Sequence, residues 1–183
     1  MKILFLTKRY YMAKDLPRDR YGRFYKIPKY LNSIGNNVIV SCLSYRKQTE
    51  PDSINIDNFE WLSIRLRLNP FAGIRNYYIK LCRLIENIQP NVIAGVSGCF
   101  NVIIAAELAA KYSVPCGLDL YDNFESYRAT SISGIKYLFS KAVGKADGVS
   151  VVSQKLRDYV CEAYKPSGEL LIVENAVLSD YFL

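Results

Sequence analysis

Seven short runs of β-favouring residues alternate with stretches of helical periodicity along nearly the whole of this chain. Strands separated by single helices are the mark of βα units, which feed a parallel sheet. The pattern predicts strands at Lys2 to Thr7, Val38 to Cys42, Phe59 to Ile64, Val92 to Gly95, Cys116 to Asp119, Gly148 to Val152 and Leu170 to Val173. The fold class is therefore α/β, a Rossmann-like, doubly wound parallel sheet of about seven strands with helices on both faces.

Helices fill the gaps. The first runs from about Gly22 to Ile34, with Phe24, Ile27, Leu31 and Ile34 on one face and Gly35 as its stop. Pro28 lies inside it, and an interior proline costs about 3 kcal/mol. Either the helix kinks there, which is the expected outcome, or its regular part begins at Pro28. The second carries Ile74, Tyr77, Tyr78, Leu81, Leu84, Ile85 and Ile88 at helical spacing and ends at Gln89-Pro90. The third, Phe100 to Tyr112, is rich in Ala and Ile and packs closely on the sheet. The fourth, about Ile132 to Lys145, turns Ile135, Leu138, Phe139, Ala142 and Val143 inward and Lys136, Lys141 and Lys145 outward. Ser153 reads as the N-cap of the fifth, Gln154 to Tyr164. Leu43 to Asn58 reads as a polar surface loop. One domain spans 1–183, with a linker beginning near residue 174.

Half of the 183 residues are apolar, enough for one filled core. The chain contains no histidine, which excludes a Ser-His-Asp triad, a His metal site and a His base within it. Its five cysteines lie far apart without a Cys-x-x-Cys, so they read as reduced core thiols. Ile3 to Leu6 is too short for a signal peptide or membrane span, and the expected location is the cytoplasm. The net charge of +7 is concentrated, because eight basic residues face only Asp15 and Asp19 between Lys8 and Lys29. The same stretch holds Tyr10, Tyr11, Tyr21, Phe24, Tyr25 and Tyr30. That mixture suits an anionic ligand, a membrane surface or nucleic acid.

In such a sheet, ligands bind beyond the carboxyl ends of the strands, where the strand order reverses. Four segments fall there: the basic loop after the first strand, the loop containing Ser97 and Gly98, the Asp119 to Tyr127 segment, and Ser153. Asp122, Asn123 and Glu125 can accept hydrogen bonds from sugar hydroxyls, and a carboxylate beside an attacking hydroxyl can act as its base. The competing reading is that Asp122 or Asn123 caps a turn and Asp119 pairs with a cation. Gly22, followed by helix amides and flanked by Arg20 and Arg23, can approach a phosphate; a turn glycine with solvated arginines explains the same residues. No Gly-x-Gly-x-x-Gly follows the first strand, and no Gly-x-x-x-x-Gly-Lys is present, which argues against an NAD domain and a P-loop. A second basic and aromatic segment, Arg65, Arg67, Arg75, Lys80 and Arg83 with Phe71, Tyr77 and Tyr78, suits either an anionic membrane surface or plain solvent.

Several of these stretches recur in a known order. They are Asp19 to Pro28, Asn32-Ser33-Ile34-Gly35-Asn36-Asn37-Val38, Pro90-Asn91-Val92-Ile93, Leu118 to Tyr127, Ala146-Asp147-Gly148-Val149-Ser150-Val151-Val152-Ser153 and Asn175-Ala176-Val177 through Phe182. Together they resemble the N-terminal domain of family 4 glycosyltransferases. The resemblance implies a GT-B enzyme, in which two Rossmann-like domains face each other, the N-terminal one holding the acceptor and the C-terminal one most of the nucleotide-sugar. It implies a cleft lined by Arg20, Gly22, Arg23, Ser97, Gly98, Asp122, Asn123, Glu125, Ser153 and Asn175. The co-substrate is a nucleotide-sugar, and no metal or other cofactor is implied. The acceptor is a glycan or a lipid-linked molecule. The Glu-x7-Glu pair of the donor domain is missing here, so the expectation is an acceptor-side half that lacks its C-terminal donor domain and is inactive alone. A retaining enzyme needs no side-chain base from this half; an inverting one has Asp122 as the candidate. The rival is a stand-alone adaptor for a sugar, an anionic lipid or a protein, and nucleic acid is the least favoured partner.

Overall fold

The structure, a computed structural model, describes residues 1–45, 53–66, 70–122 and 132–175, the side chains of Pro70 and Phe71 excepted. Arg67, Asn123, Glu125 and the Ala176 to Leu183 end lie outside the described residues. In chain order the elements are β1 (Lys2–Lys8), β2 (Tyr10–Tyr11), β3 (Lys14–Asp15), α1 (Leu16–Asp19), α2 (Arg23–Ser33), β4 (Asn37–Ser44), β5 (Ser53–Ile56), β6 (Phe59–Arg65), α3 (Pro70–Ile88), β7 (Val92–Val96), α4 (Cys99–Tyr112), β8 (Cys116–Leu120), α5 (Ser133–Lys145), β9 (Gly148–Val151), α6 (Gln154–Tyr164) and β10 (Glu169–Ile172).

Eight strands form one sheet in the order β10-β9-β8-β7-β1-β4-β6-β5. All seven expected strands are present and parallel. The chain winds outward from β1 in one direction through β4 and β6, then returns to the other side of β1 and continues through β7 to β10. The strand order therefore reverses between β1 and β7, where Ile3 of β1 pairs with Val92.

The alternation of side chains along β1 feeds two cores. Leu4 and Leu6 join Tyr77, Leu81, Val102, Leu108, Phe139, Val143 and Val160, under α3, α4, α5 and α6. Ile3 and Phe5 join Leu16, Phe24, Tyr25 and Trp61, under α1 and α2. Each large side chain so buried contributes about 1.5–3 kcal/mol. On the second face the ring of Tyr25 stacks on Trp61, with centroids 5.7 Å apart and planes 14° apart. On the first face α4 lies so close to β7 that a Cβ at Gly95 would meet the Cβ of Ala105 at 2.6 Å and the carbonyl of Asn101 at 2.8 Å. No larger residue fits there without moving the helix.

Three expectations need correction, at β5, Ile34 and Leu138, while the first helix keeps its expected bounds to within a residue. The segment read as a loop contains β5, an antiparallel edge strand paired with β6. Its signal was the alternation Ser53-Ile54-Asn55-Ile56, followed by Asp57 and Asn58, whose φ values of 51° and 64° make a two-residue hairpin turn. The first helix starts at Arg23 and continues past Pro28 to Ser33, so it does not begin at the proline; Pro28 sits on its buried side with Phe24 and Tyr25. Ile34 is 57% exposed because it is the C-cap rather than a facing residue. Leu138 is 47% exposed, since Phe139, Ala142 and Val143, with Ile135 packed partly buried beside them, fill the inward arc of α5.

Candidate functional site

At the reversal point the ends of β1 and β7 are tied together by hydroxyls. The Oγ atoms of Thr7 and Ser97 lie 2.8 Å apart, and the Lys8 amide donates to Ser97 Oγ at 2.8 Å. Thr7 Oγ1 donates in turn to the Lys8 carbonyl at 3.2 Å. A single consistent chain of donors follows, with the Ser97 hydroxyl donating to Thr7. Ser97 is 1% exposed and holds φ at 66°, a conformation that costs a residue with a side chain about 1–2 kcal/mol. Its hydrogen bonds to Thr7 and the Lys8 amide hold it there. Gly98 follows at φ 149° as the N-cap of α4, with no side chain over the helix end.

Beside this tie stands Lys8. Its ammonium donates to the Tyr121 hydroxyl at 3.4 Å and lies 4.9 Å from the centre of the Tyr11 ring. Tyr11 meets Tyr121 edge to face at 5.4 Å, and Phe24 meets Tyr121 at 4.8 Å. Burial lowers the pKa of Lys8. Tyr11 is pushed up, first by burial and then by the charges of Tyr21 and Asp122; Asp122 follows Tyr121, whose ring meets Tyr11. The result is a cation framed by aromatic faces. Such a mouth can stack on the apolar face of a sugar ring and hydrogen-bond its hydroxyls.

A second cluster closes the neighbouring strands. The Arg23 guanidinium grips Asp119 through Nε at 3.0 Å and Nη2 at 2.7 Å. Its Nη1 donates to the Val173 carbonyl at 3.0 Å and to Asn175 Oδ1 at 2.8 Å. Ser150 Oγ donates to Asp119 Oδ1 at 2.6 Å. Thus α2, β8, β9 and the segment leaving β10 meet on one guanidinium. Below it, between α2 and the sheet, lies a hollow of about 240 Å³ floored in part by Gly117 and Gly148, where a Cβ would meet nothing.

No family model and no curated protein sequence matches this chain. Solved structures do match. Sucrose-phosphate synthase from Thermosynechococcus elongatus aligns with a TM-score of 0.71 at 12% identity, over 93% of this chain and 47% of that one. UDP-GlcNAc 2-epimerase from Methanocaldococcus jannaschii aligns with a TM-score of 0.66 at 9% identity, over 96% of this chain and 46% of that one. An Arabidopsis thaliana structure complexed with UDP aligns with a TM-score of 0.56 at 12% identity, over 97% of this chain and 49% of that one. The chain shares a GT-B-like Rossmann fold with one half of each of these structures. The chain spans about half the length of these solved chains.

Within this GT-B-like fold, the expected cleft residues part company. Arg23 meets Asn175 and grips Asp119, so the competing reading of Asp119 as the partner of a cation describes the geometry. Ser97 and Gly98 lie at the reversal point beside Lys8, and Asp122 lies by Tyr11. Gly22, the N-cap of α2, has Arg23 next to it, while Arg20 pairs at 3.3 Å with Asp57, at the β5–β6 turn. Ser153 caps α6, its Oγ accepting from the Leu156 amide at 3.3 Å. Asn123 and Glu125 lie outside the described residues. Lys8, Tyr11 and Tyr121 were not among the expected cleft residues. Their signal was available, since Lys8 ends the first strand and the tyrosines flank the two most polar loops.

Proposed function

We propose that this chain binds the acceptor of a sugar transfer, with a nucleotide-sugar supplied from a second, donor-binding half. The acceptor is a glycan or lipid-linked molecule, and it sits at the mouth formed by Lys8, Tyr11, Tyr121 and Asp122. The observation that carries this reading is the half-buried, aromatic-framed Lys8 at the strand-order reversal of a GT-B-like sheet. The tyrosine rings would pack on the sugar, and Lys8 would donate to a hydroxyl or a phosphate oxygen. If transfer inverts the anomeric centre, Asp122 would take the proton from the attacking hydroxyl; if it retains, the donor side carries the chemistry and Asp122 orients the acceptor. Among the described residues no helix is long and apolar enough to cross a membrane; a peripheral position at the cytoplasmic face would bring a lipid-linked acceptor to this mouth.

Calorimetric titration of the chain with acceptor glycans and with nucleotide-sugars tests the proposal. Acceptor binding that Lys8→Met weakens about tenfold is expected, the loss of one charge-assisted hydrogen bond. Binding and turnover of a nucleotide-sugar by this chain alone, with no acceptor affinity, would overturn it.

A further inference from the structure

The described helices differ in what they offer to solvent. Of the expected basic and aromatic surface on α3, Tyr77 is fully buried with its hydroxyl directed at Asn101 and Tyr78 is half-buried, while the side chain of Phe71 lies outside the described residues. On α5 the opposite holds. Tyr137 is 66% exposed, Leu138 47%, and Ile132, at the N-cap, 58%. The helix carries three lysines and no acidic residue, and Lys141 and Lys145 share the solvent side with Tyr137 and Leu138. The neighbouring α6 has Lys155 and Arg157 offset by Asp158 and Glu162. Because α5 descends from the end of β8 toward the start of β9, its apolar first turns lie at the crevice end of the sheet and its last lysines further down.

We infer that the exposed side of α5 is the face by which this protein rests on an anionic lipid surface. Tyr137, Leu138 and Ile132 enter the headgroup boundary, and Lys141 and Lys145 stand over lipid phosphates. Charge complementarity selects this occupant: a helix with lysines and no carboxylate is attracted by an anionic leaflet, and short apolar side chains add partitioning without spanning it. Aromatic residues with a polar tip suit that boundary. The placement rests on the acceptor reading only in its consequence, which is that the mouth would face a lipid-linked acceptor. A second exposed apolar pair, Tyr30 and Ile34, lies at the far end of α2, where Lys29 is engaged at 2.8 Å by Asp57. It serves as an internal control.

The experiment is co-sedimentation of the full chain with vesicles of phosphatidylcholine alone or mixed with phosphatidylglycerol. Binding to the mixed vesicles that falls with added salt is expected. The double variants Y137S/L138S and K141E/K145E should each lower partitioning about tenfold or more, whereas Y30S should leave it unchanged. All the altered side chains are exposed, and unchanged far-UV circular dichroism verifies folding. No sedimentation, equal binding to neutral vesicles, or α5 variants that bind like wild type would each overturn the inference. So would an α5 variant that changes only the sedimentation coefficient in lipid-free solution, which would make the patch a self-association surface. The vesicles contain no acceptor, so failure here leaves the acceptor reading intact, and failed acceptor titration with intact vesicle binding removes that reading alone.

Discussion

Lys8 and Arg9 are neighbours at the end of β1, yet the structure treats them in opposite ways. Arg9 is fully buried, with Nη2 3.0 Å from Asp15 Oδ2, Nε 3.3 Å from Asp15 Oδ1 and Nη1 2.6 Å from Ser63 Oγ. Its carbonyl accepts from Leu16 at 3.0 Å, which folds the β2–β3 hairpin and α1 back over the sheet. Among the described residues no carboxylate is bonded to Lys8; its neighbours are tyrosines, and burial lowers its pKa. A cation whose donors all point at protein partners organises the fold. One held half-dry among aromatic faces, with no carboxylate bonded to it among the described residues, is suited to a ligand. Arg23 belongs with Arg9, although it sits where an acceptor phosphate was expected.

The contrast breaks most visibly at Arg9. Arg9→Met leaves the Asp15 carboxylate buried without its counter-charge, and is expected to cost about 3–5 kcal/mol in urea unfolding. A loss below about 1 kcal/mol, the range of an ordinary surface change, would show that Arg9 is not organising. Asp119→Asn is next. It keeps the shape but removes the charge from beneath a guanidinium whose side chain is only 9% exposed, for an expected loss of about 2–3 kcal/mol. If Asp119→Asn left stability intact and instead abolished acceptor binding, Arg23 would belong with Lys8 and the division between the two kinds of cation would fall. Ser153→Ala should cost about 1 kcal/mol, the worth of an N-cap, with acceptor affinity unchanged; a loss of affinity with no loss of stability would return Ser153 to the cleft.

What could be read in advance follows from where the information resides. The parallel strands were legible because a strand buried on both faces needs a continuous apolar run, as in Val38 to Cys42 or Ile3 to Leu6. β5 was not, because an edge strand of four residues carries its signal in Ile54 and Ile56 alone. The helical inward faces were legible to within a residue, failing at Ile34 and Leu138, where the helix end or a short arc decides. The site was harder, since a charge in a basic run looks the same whether it will be solvated or buried. Asp119 lies 96 residues from Arg23 and Asp15 only six from Arg9, yet neither pairing shows in the local pattern. The alternation that predicts the sheet also predicts its reversal point, and so the location of the mouth, but not which cations there are already engaged.

The smallest stability effect tests the comparison most directly. Lys8→Met removes a cation that is held partly dehydrated with no carboxylate bonded to it among the described residues, and its tyrosine neighbours can pack against the methionine stem. Stability at neutral pH is expected to change by no more than about 1 kcal/mol, against the large loss at Arg9. The pH dependence has a defined sign. A lysine whose folded-state pKa is lowered binds its proton less well folded than unfolded, so wild type carries the dehydration cost at every pH below that lowered value. As pH rises through it toward the unfolded value near 10.5, the cost fades, and wild type should gain stability relative to Lys8→Met. Urea midpoints of the two proteins measured from neutral to alkaline pH would show this convergence. A wild type that instead lost ground over that window would mean that Lys8 is a stabilising ion-pair partner like Arg9, and the distinction between the neighbours would disappear.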